Sequence, residues 1–388
     1  MNAIIKREEF DKVVGSIERA HTLPGQAYTS DAFFDAEAEH LFKSEWFPVC
    51  HEQMLSNPGD FYTLDVFNEK LVAVRGDDGE IRVLDRLCLD SGADLFISPF
   101  VQGRCEDMLG DLLRYRAWVY NLRGELIEAR NVRDETFDLS DHRLNAYRTE
   151  TWKGFVMVNI DGRAEPFAEG AKVLERWVEN YDLENLVRLP SIATFEMDTN
   201  WKLVAENYIE AYHHLAIHRN TFEPVSPARN TFVEDLEGSN DKTIVLNMPI
   251  EKAIGEGLGS SLPPIEGLSE EDLATFPVWL VMPFFLLVGL HTSVAWLQLV
   301  PLGPDKSMWI IHTFFPASSL QEPQKVHDTL SGGIAIHNED MDACVGNQKG
   351  IVSRFFEQGR LHPTEKGVWY FDKYILETIA KKAPELIA

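Results

Sequence analysis

The chain has 388 residues, of which 45% are hydrophobic and 11% aromatic, so it is long enough for two domains with sizeable cores. Its 36 basic and 62 acidic residues give a formal net charge of −26. This charge repels phosphate backbones and anionic membranes, and it argues against a nucleic-acid or membrane partner. The N-terminus lacks the apolar core of a signal peptide. The four cysteines show no paired spacing, so we expect a cytoplasmic protein with reduced thiols.

The first 45 residues are predicted to form two helices separated by a turn at Pro24-Gly25. Ser30 can cap the second helix, which we expect to continue to Trp46 with one apolar face. From Phe47 the pattern changes to short alternating segments such as FYTLDVF and KLVAVRG, separated by turn-forming residues. These segments predict a small antiparallel β domain over residues 46–162.

Residues 163–388 combine predicted helices with long apolar strands. A helix is expected from Pro166 to Val187, and aromatic-rich antiparallel strands are expected over residues 276–315. A further helix is expected from about Val326. This mixture predicts an α+β fold for the C-terminal part of the chain.

A candidate metal site lies between Asn200 and Phe222. Two imidazoles and one carboxylate, with coordination positions left open, form the usual site of non-haem Fe(II) oxygenases. In a straight helix His213 and His218 would lie roughly 140° apart, so their pairing requires a local distortion. His214 and His218 share a face at the spacing i and i+4, and the spacing alone leaves His213 and His214 open. A helix with solvated histidines is the alternative interpretation.

The run WKLVAENYIEAYHHLAIHRNTF, residues 201–222, resembles the catalytic signature of Rieske-type ring-hydroxylating oxygenase α subunits. In that signature a carboxylate, two residues, a histidine, four residues and a second histidine recur. The resemblance implies that Glu210 is the bridging carboxylate, that His213 and His218 bind a mononuclear Fe(II), and that Asn207 lies near the iron. A glutamate at position 210 resembles the branch of the family that acts on quaternary amines.

The resemblance also implies the third iron ligand and the fold. Asp340 lies in a Glu-Asp pair followed by Gln348 and Gly350, and it matches the ligand position of the family. The residues alone do not decide between Asp340 and Asp342 as the ligand. They are also compatible with a solvated acidic face of a helix. We expect N-terminal helices over 1–45 that pack on the catalytic domain, a Rieske-like β domain over 46–162, and a helix-grip (START/Bet v1-like) catalytic domain over 163–388.

The β domain departs from the family at the cluster ligands. A Rieske [2Fe–2S] centre is held by two Cys and two His, supplied as Cys-x-His and Cys-x-x-His. The four matching positions here are Cys88, Asp90, Leu113 and Arg116. Because a leucine and a guanidinium cannot bind iron, we expect the fold to persist without its cluster. The alternative, which no spacing favours, is a rebuilt metal site formed by Cys88, Asp90, Cys105 and His51.

Taken together, the resemblance implies an oxygenase catalytic subunit that uses O2 to hydroxylate or demethylate a small aromatic or amine substrate. Since the cluster ligands are missing, we expect the electrons to come from a Rieske cluster on a related α-type subunit. A reductase would deliver electrons to that cluster, and the subunits would form a trimer-based hetero-oligomer. The first alternative is a non-catalytic subunit that supports an active partner. Others are an iron enzyme fed by a soluble reductant or peroxide, and a hydrolytic use of the metal.

Overall fold

The computed structural model describes residues 3–96, 100–105, 112–115, 118–130, 132, 136–191, 193–235, 242–251 and 261–388. The chain divides into two compact units. One, here called the mixed unit, consists of Met1–Phe42 and Ala168–Ala388, and the other, the β unit, consists of Lys43–Phe167. Arg116 and residues 252–260 lie outside the described residues.

The mixed unit begins with three short helices, α1 (Arg7–Val14), α2 (Gly25–Thr29) and α3 (Asp31–Glu37). The Ser30 hydroxyl accepts a hydrogen bond from the Phe33 N–H and so caps α3. The helix predicted to reach Trp46 is shorter, because α3 passes into a single π turn at Ala38–Phe42. The chain then enters the first strand at Trp46.

The β unit is built from antiparallel strands, several of which are buried along most of their length. Among the described residues, a seven-stranded sheet has the order β1-β10-β9-β4-β3-β2-β5, and β6, β7 and β8 form a separate three-stranded sheet. A two-residue turn at Phe67-Asn68 joins β2 to β3, and both residues have positive φ, as a hairpin of this length requires. The strands are β1 (Trp46–His51), β2 (Asp60–Val66), β3 (Glu69–Arg75), β4 (Ile81–Asp85), β5 (Gln102–Arg104), β6 (Leu112–Tyr115), β7 (Trp118–Asn121), β8 (Leu126–Ala129), β9 (Ala146–Trp152) and β10 (Phe155–Asn159).

The remainder of the mixed unit is an antiparallel sheet and its helices. In the described ranges the sheet follows the order β11-β18-β17-β16-β15-β14-β13, with β12 also paired to β18. The elements are α4 (Phe167–Val178), β11 (Val187–Arg188), β12 (Ala193–Met197), α5 (Trp201–Tyr208), β13 (Phe232–Val233), β14 (Thr243–Pro249), β15 (Thr275–Val281), β16 (Phe285–Leu290), β17 (Ser293–Gly303), β18 (Lys306–Phe315), α6 (Pro323–Ile351) and α7 (Lys366–Lys382).

The predicted α+β class is confirmed by these antiparallel sheets and long helices. The helix predicted over Pro166–Val187 is shorter than expected. A left-handed residue, Asp182 with φ 49°, lies beyond α4 and cannot continue a helix. No helix in the described parts of the chain combines the length and apolar character needed to cross a membrane.

A buried ion pair anchors α5 at its N-terminal turn. The Asn200 side chain caps the helix by accepting a 2.9 Å hydrogen bond from the Lys202 N–H. The Lys202 ammonium lies 2.7 Å from Glu37 on α3, and both side chains are inaccessible to solvent. Burial raises the pKa of the Glu37 carboxyl, and the positive charge of Lys202 opposes this rise. The pair therefore holds α3 against the helix that leads into the candidate site.

Replacing Lys202 by methionine is expected to lower the free energy of unfolding by about 3–5 kcal/mol at neutral pH, because Glu37 then stays buried without its partner. The double variant Lys202→Met/Glu37→Gln should recover most of this loss, since it removes the unpaired charge. Urea unfolding of the two variants and the unchanged protein measures the difference. A loss below about 1 kcal/mol for the single variant, the range of an exposed pair, would contradict the expectation.

Candidate iron site

The histidine-rich segment is not a continuation of α5. The helix ends at Tyr208, and a separate 3₁₀ turn spans Tyr212–Leu215. This break supplies the distortion that the pairing of His213 with His218 requires, and their ring centroids lie 5.0 Å apart. His214 joins the same group, because ligand atoms of all three imidazoles lie within 4.8 Å of one another.

His213 and His218 each have one ring nitrogen held by a carboxylate. His213 Nδ1 lies 2.5 Å from Glu210 Oε1, and His218 Nδ1 lies 2.7 Å from Glu339 Oε2. The other nitrogens face Asp340, whose Oδ1 is 2.8 Å from His218 Nε2 and 3.5 Å from His213 Nε2. Carboxylates that fix the far nitrogen of an imidazole commonly orient metal ligands. The two Nε2 atoms and Asp340 Oδ1 therefore converge on one place.

Asp340 is held by the end of α5. Asn207 Nδ2 donates a 2.9 Å hydrogen bond to Asp340 Oδ1, and the Tyr208 hydroxyl donates a 2.6 Å bond to Oδ2. Burial would raise the pKa of Asp340, but hydrogen bonds from His213 and His218 hold that pKa well below its usual value. Asp342, the other aspartate that the sequence left open, is exposed on α6. The structure thus brings Asp340, and not Asp342, to the histidines.

The donor set fits a mononuclear Fe(II), because two imidazole nitrogens and one carboxylate oxygen are the ligands that suit this ion. Burial lowers the pKa of His213, but the Glu210 and Asp340 carboxylates outweigh it and raise the pKa to about 10. A proton on this ring has to leave before its nitrogen can bind iron. Burial and the two neighbouring imidazoles lower the pKa of His214 to about 3, so His214 is neutral.

Two cavities border the converging groups. The first, of about 130 Å³, has almost entirely apolar walls. The second, of about 580 Å³, lies on the side of Glu206 and Glu365. Asn207, Glu210 and His213 line both cavities. The apolar residues of the first wall include Phe222, Met248, Phe276, Val278, Leu290 and Ile336.

The sequence interpretation did not assign three residues of this site a role in holding the iron ligands. Tyr208 bonds Asp340, His337 Nδ1 lies 2.8 Å from the Tyr208 hydroxyl, and Glu339 orients His218. A signal for His337 was present, because residues three apart share a helix face and His337 precedes Asp340 by three on α6. No local spacing could pair Tyr208 or Glu339 with its partner, since these contacts join α5 and its following loop to α6.

Two of the four cluster positions of the β unit lie in an apolar core. Cys88 is fully buried, Leu113 is buried in the same hydrophobic cluster, and Cys88 Sγ lies 3.6 Å from the Tyr120 hydroxyl. Asp90 is exposed, and Arg116 lies outside the described residues. A leucine side chain offers iron no donor atom, so these residues do not fit a Rieske centre. Among the described residues, the alternative set of Cys88, Asp90, Cys105 and His51 does not come together as a metal-binding group.

The chain matches two protein families. Residues 175–381 match the family described as ring hydroxylating alpha subunit (catalytic domain), and residues 45–137 match the Rieske [2Fe-2S] domain. The carnitine monooxygenase oxygenase subunit of Escherichia coli (strain K12) is 33% identical over 202 residues, which is 50% of this chain and 52% of that protein. The chain thus spans about half the length of that relative. The chloroplastic choline monooxygenase of Spinacia oleracea is 22% identical over 96% of this chain and 81% of its own length.

Solved structures share the fold. A crystal structure of the quaternary ammonium Rieske monooxygenase CntA in complex with an inhibitor is 22% identical, with a TM-score of 0.81 over 97% of this chain and 99% of that chain. Naphthalene 1,2-dioxygenase from Rhodococcus sp. bound to indole is 17% identical, with a TM-score of 0.74 over the same shares. Because the catalytic-domain match alone covers more than half of the sequence, this chain belongs to the Rieske-type ring-hydroxylating oxygenase α-subunit family.

Proposed function

We propose that this chain is the iron-binding catalytic subunit of an oxygenase that receives its electrons from a Rieske cluster on a partner subunit. The observation that carries the proposal is the convergence of His213 Nε2, His218 Nε2 and Asp340 Oδ1 beside an apolar cavity. The matches to oxygenase α subunits support it. His213, His218 and Asp340 are the residues that would hold the iron.

Iron bound at these residues would supply the reduction and activation of O2. The protein's own contribution is to position its ligands. Glu210 and Glu339 fix the rings of His213 and His218, and Asn207 and Tyr208 fix both oxygens of Asp340. The apolar wall of the first cavity excludes water and holds the substrate next to the site.

We infer the need for an electron-donating partner from the residues at the four cluster-ligand positions. Leu113 contributes no ligand atom and lies in the core around Cys88. The route for incoming electrons that we propose ends at Glu210, because this carboxylate contacts His213 and lines both cavities. A cluster-bearing α-type subunit would therefore deliver electrons to the mixed unit, in a trimer-based hetero-oligomer fed by a reductase.

The substrate that we propose is a small organic amine or aromatic compound. The first cavity is about 130 Å³, and the described residues that line it include no lysine or arginine. Such a cavity suits an apolar group and offers a substrate carboxylate no lysine or arginine among the described residues. Phe222 and Phe276 present aromatic rings, which also stabilise quaternary ammonium groups. The names of the relatives, carnitine and choline monooxygenases, support an amine.

Iron and acid-labile sulfide per chain, measured on protein purified alone under anaerobic conditions, test this function. We expect about one iron and no sulfide, since the ligands suit one Fe(II) and the cluster ligands are replaced. Stoichiometric sulfide would contradict the proposed loss of the cluster. A chain that stays free of iron after reconstitution would favour the non-catalytic supporting subunit instead.

A further inference from the structure

A pair of buried carboxyl groups lies behind the iron site, on the α5 and α7 helices. Asp372 on α7 is fully buried, and its carboxyl group interacts with the Glu206 carboxyl and with the backbone of Leu23. Glu206 on α5 is 9% exposed and accepts the Tyr28 hydroxyl at 2.9 Å. The nearby Lys202 ammonium bonds Glu37 instead. Among the described residues, no cationic side chain is therefore bonded to either carboxyl group.

Two carboxylates that face each other in a protein interior cannot both stay ionised. Burial and the negative charge of Glu206 raise the pKa of Asp372 well above its usual value. Burial also raises the pKa of Glu206 to about 7, although Tyr28 and Lys202 oppose the rise. A shared proton lets one carboxyl group donate a hydrogen bond to the other, which removes the repulsion between two buried negative charges. The pair thus holds a proton at neutral pH.

The second cavity connects this pair to the iron site. Glu206 lines it together with Glu210, His213 and Glu365. At about 580 Å³ the cavity has room for several water molecules, and its polar residues can bond them. Burial and the charge of Glu210 raise the pKa of Glu365 to about 7. Acids with pKa values near the working pH are suited to proton transfer.

We propose that Glu206 and Asp372 form a proton donor that serves the iron site through the second cavity. This inference rests on the proposed oxygenase function. Hydroxylation consumes O2, the substrate RH, two electrons and two protons, and it yields ROH and water. The partner subunit supplies the electrons. In each delivery the O–H bond of the pair breaks and a new O–H bond forms on water in the cavity beside Glu210. That water releases a different proton toward the oxygen that becomes product water, and solvent returns a proton to the pair.

Infrared spectra of the metal-free protein test the pair without reference to activity. At pH 6 we expect a C=O band of a buried protonated carboxyl, which Glu206→Gln and Asp372→Asn each remove. Glu377→Gln is the matched control, because Glu377 is an exposed carboxylate on the same helix, α7. The Glu365→Gln variant shows how much of the C=O band comes from Glu365 and not from the pair. If the unchanged protein shows no such band at pH 6, the proposal is overturned, whether or not either variant folds.

The pH dependence of stability gives a second test. The groups that face the pair are Tyr28, Glu37, Lys202, Cys344 and Glu365. Because the folded pKa is raised, the unfolded chain releases the proton first as the pH rises. The shared proton contributes its full amount to the free energy of unfolding when the pH lies below the ordinary pKa of a carboxyl group. This contribution falls as the pH rises toward the folded pKa of Glu206, about 7, and it is absent at higher pH. The Asp372→Asn variant should lose this slope, and an unchanged slope would contradict the shared proton.

The role in turnover is tested in the complex with a cluster-bearing subunit. Glu206→Gln should lower coupled product formation by about 10²- to 10⁴-fold, with unchanged iron content and more peroxide released per O2 consumed. Unchanged product formation in this variant would overturn the proton-donor role. An unchanged protein that binds no iron, yet shows the infrared band, would instead contradict the proposed oxygenase function, so the two failures are distinguishable.

Discussion

The His218→Ala variant is expected to bind less than one iron per chain, because its affinity for iron should fall by more than about 100-fold. This loss exceeds the usual effect of removing a residue that only orients a metal ligand. His218 Nε2 lies 2.8 Å from Asp340 Oδ1, so its loss removes one of three converging donors. His213→Ala should have the same effect, because His213 Nε2 faces the same oxygen. Iron content after anaerobic reconstitution and desalting measures both variants.

Two control variants make this prediction specific. His214→Asn should keep its iron, since Glu210 and Glu339 orient His213 and His218 and no carboxylate orients His214 in the described chain. Glu339→Gln should weaken iron binding by about 10- to 100-fold without abolishing it, because Glu339 acts through the His218 ring. Iron loss in the His214 variant with retention in the His213 variant would reassign the ligand to His214.

The second large effect concerns the source of electrons. The iron-loaded chain alone should give no multiple turnover with a reductase, and a cluster-bearing α-type subunit should restore it. Glu210→Gln should then lower turnover by about 10- to 100-fold, because the carboxylate that contacts His213 Nδ1 is lost. Product formed per chain, measured with and without the partner, tests this expectation.

Asp342→Asn serves as the matched control for Glu210→Gln. Asp342 lies on α6 two residues from Asp340, but its side chain is exposed, so turnover should not change. Full turnover of the isolated chain with a reductase would show that it needs no cluster-bearing partner. Normal turnover of the Glu210 variant in the complex would exclude this carboxylate from the electron route.

Local patterns in the sequence determined much of this protein. Alternating apolar residues predicted the antiparallel strands of the β unit, and the density of histidine and carboxylate near residues 206–218 predicted a metal site. The loss of the cluster ligands is likewise a prediction from the sequence, since residue type alone decides whether a donor atom is present. Periodicity and donor chemistry are local properties, so the order of residues records them directly.

Tertiary structure decided which side chains meet. The end of α5 at Tyr208 and the turn at Tyr212–Leu215 place His213 and His218 together, although a straight helix would separate them. His218 and Asp340 are 122 positions apart, and only the packing of α6 brings Asp340 rather than Asp342 to the histidines. Only the packing of α5 and α7 brings Glu206 and Asp372 together. Contacts between helices that are distant in sequence depend on how the helix faces pack and not on any spacing along the chain.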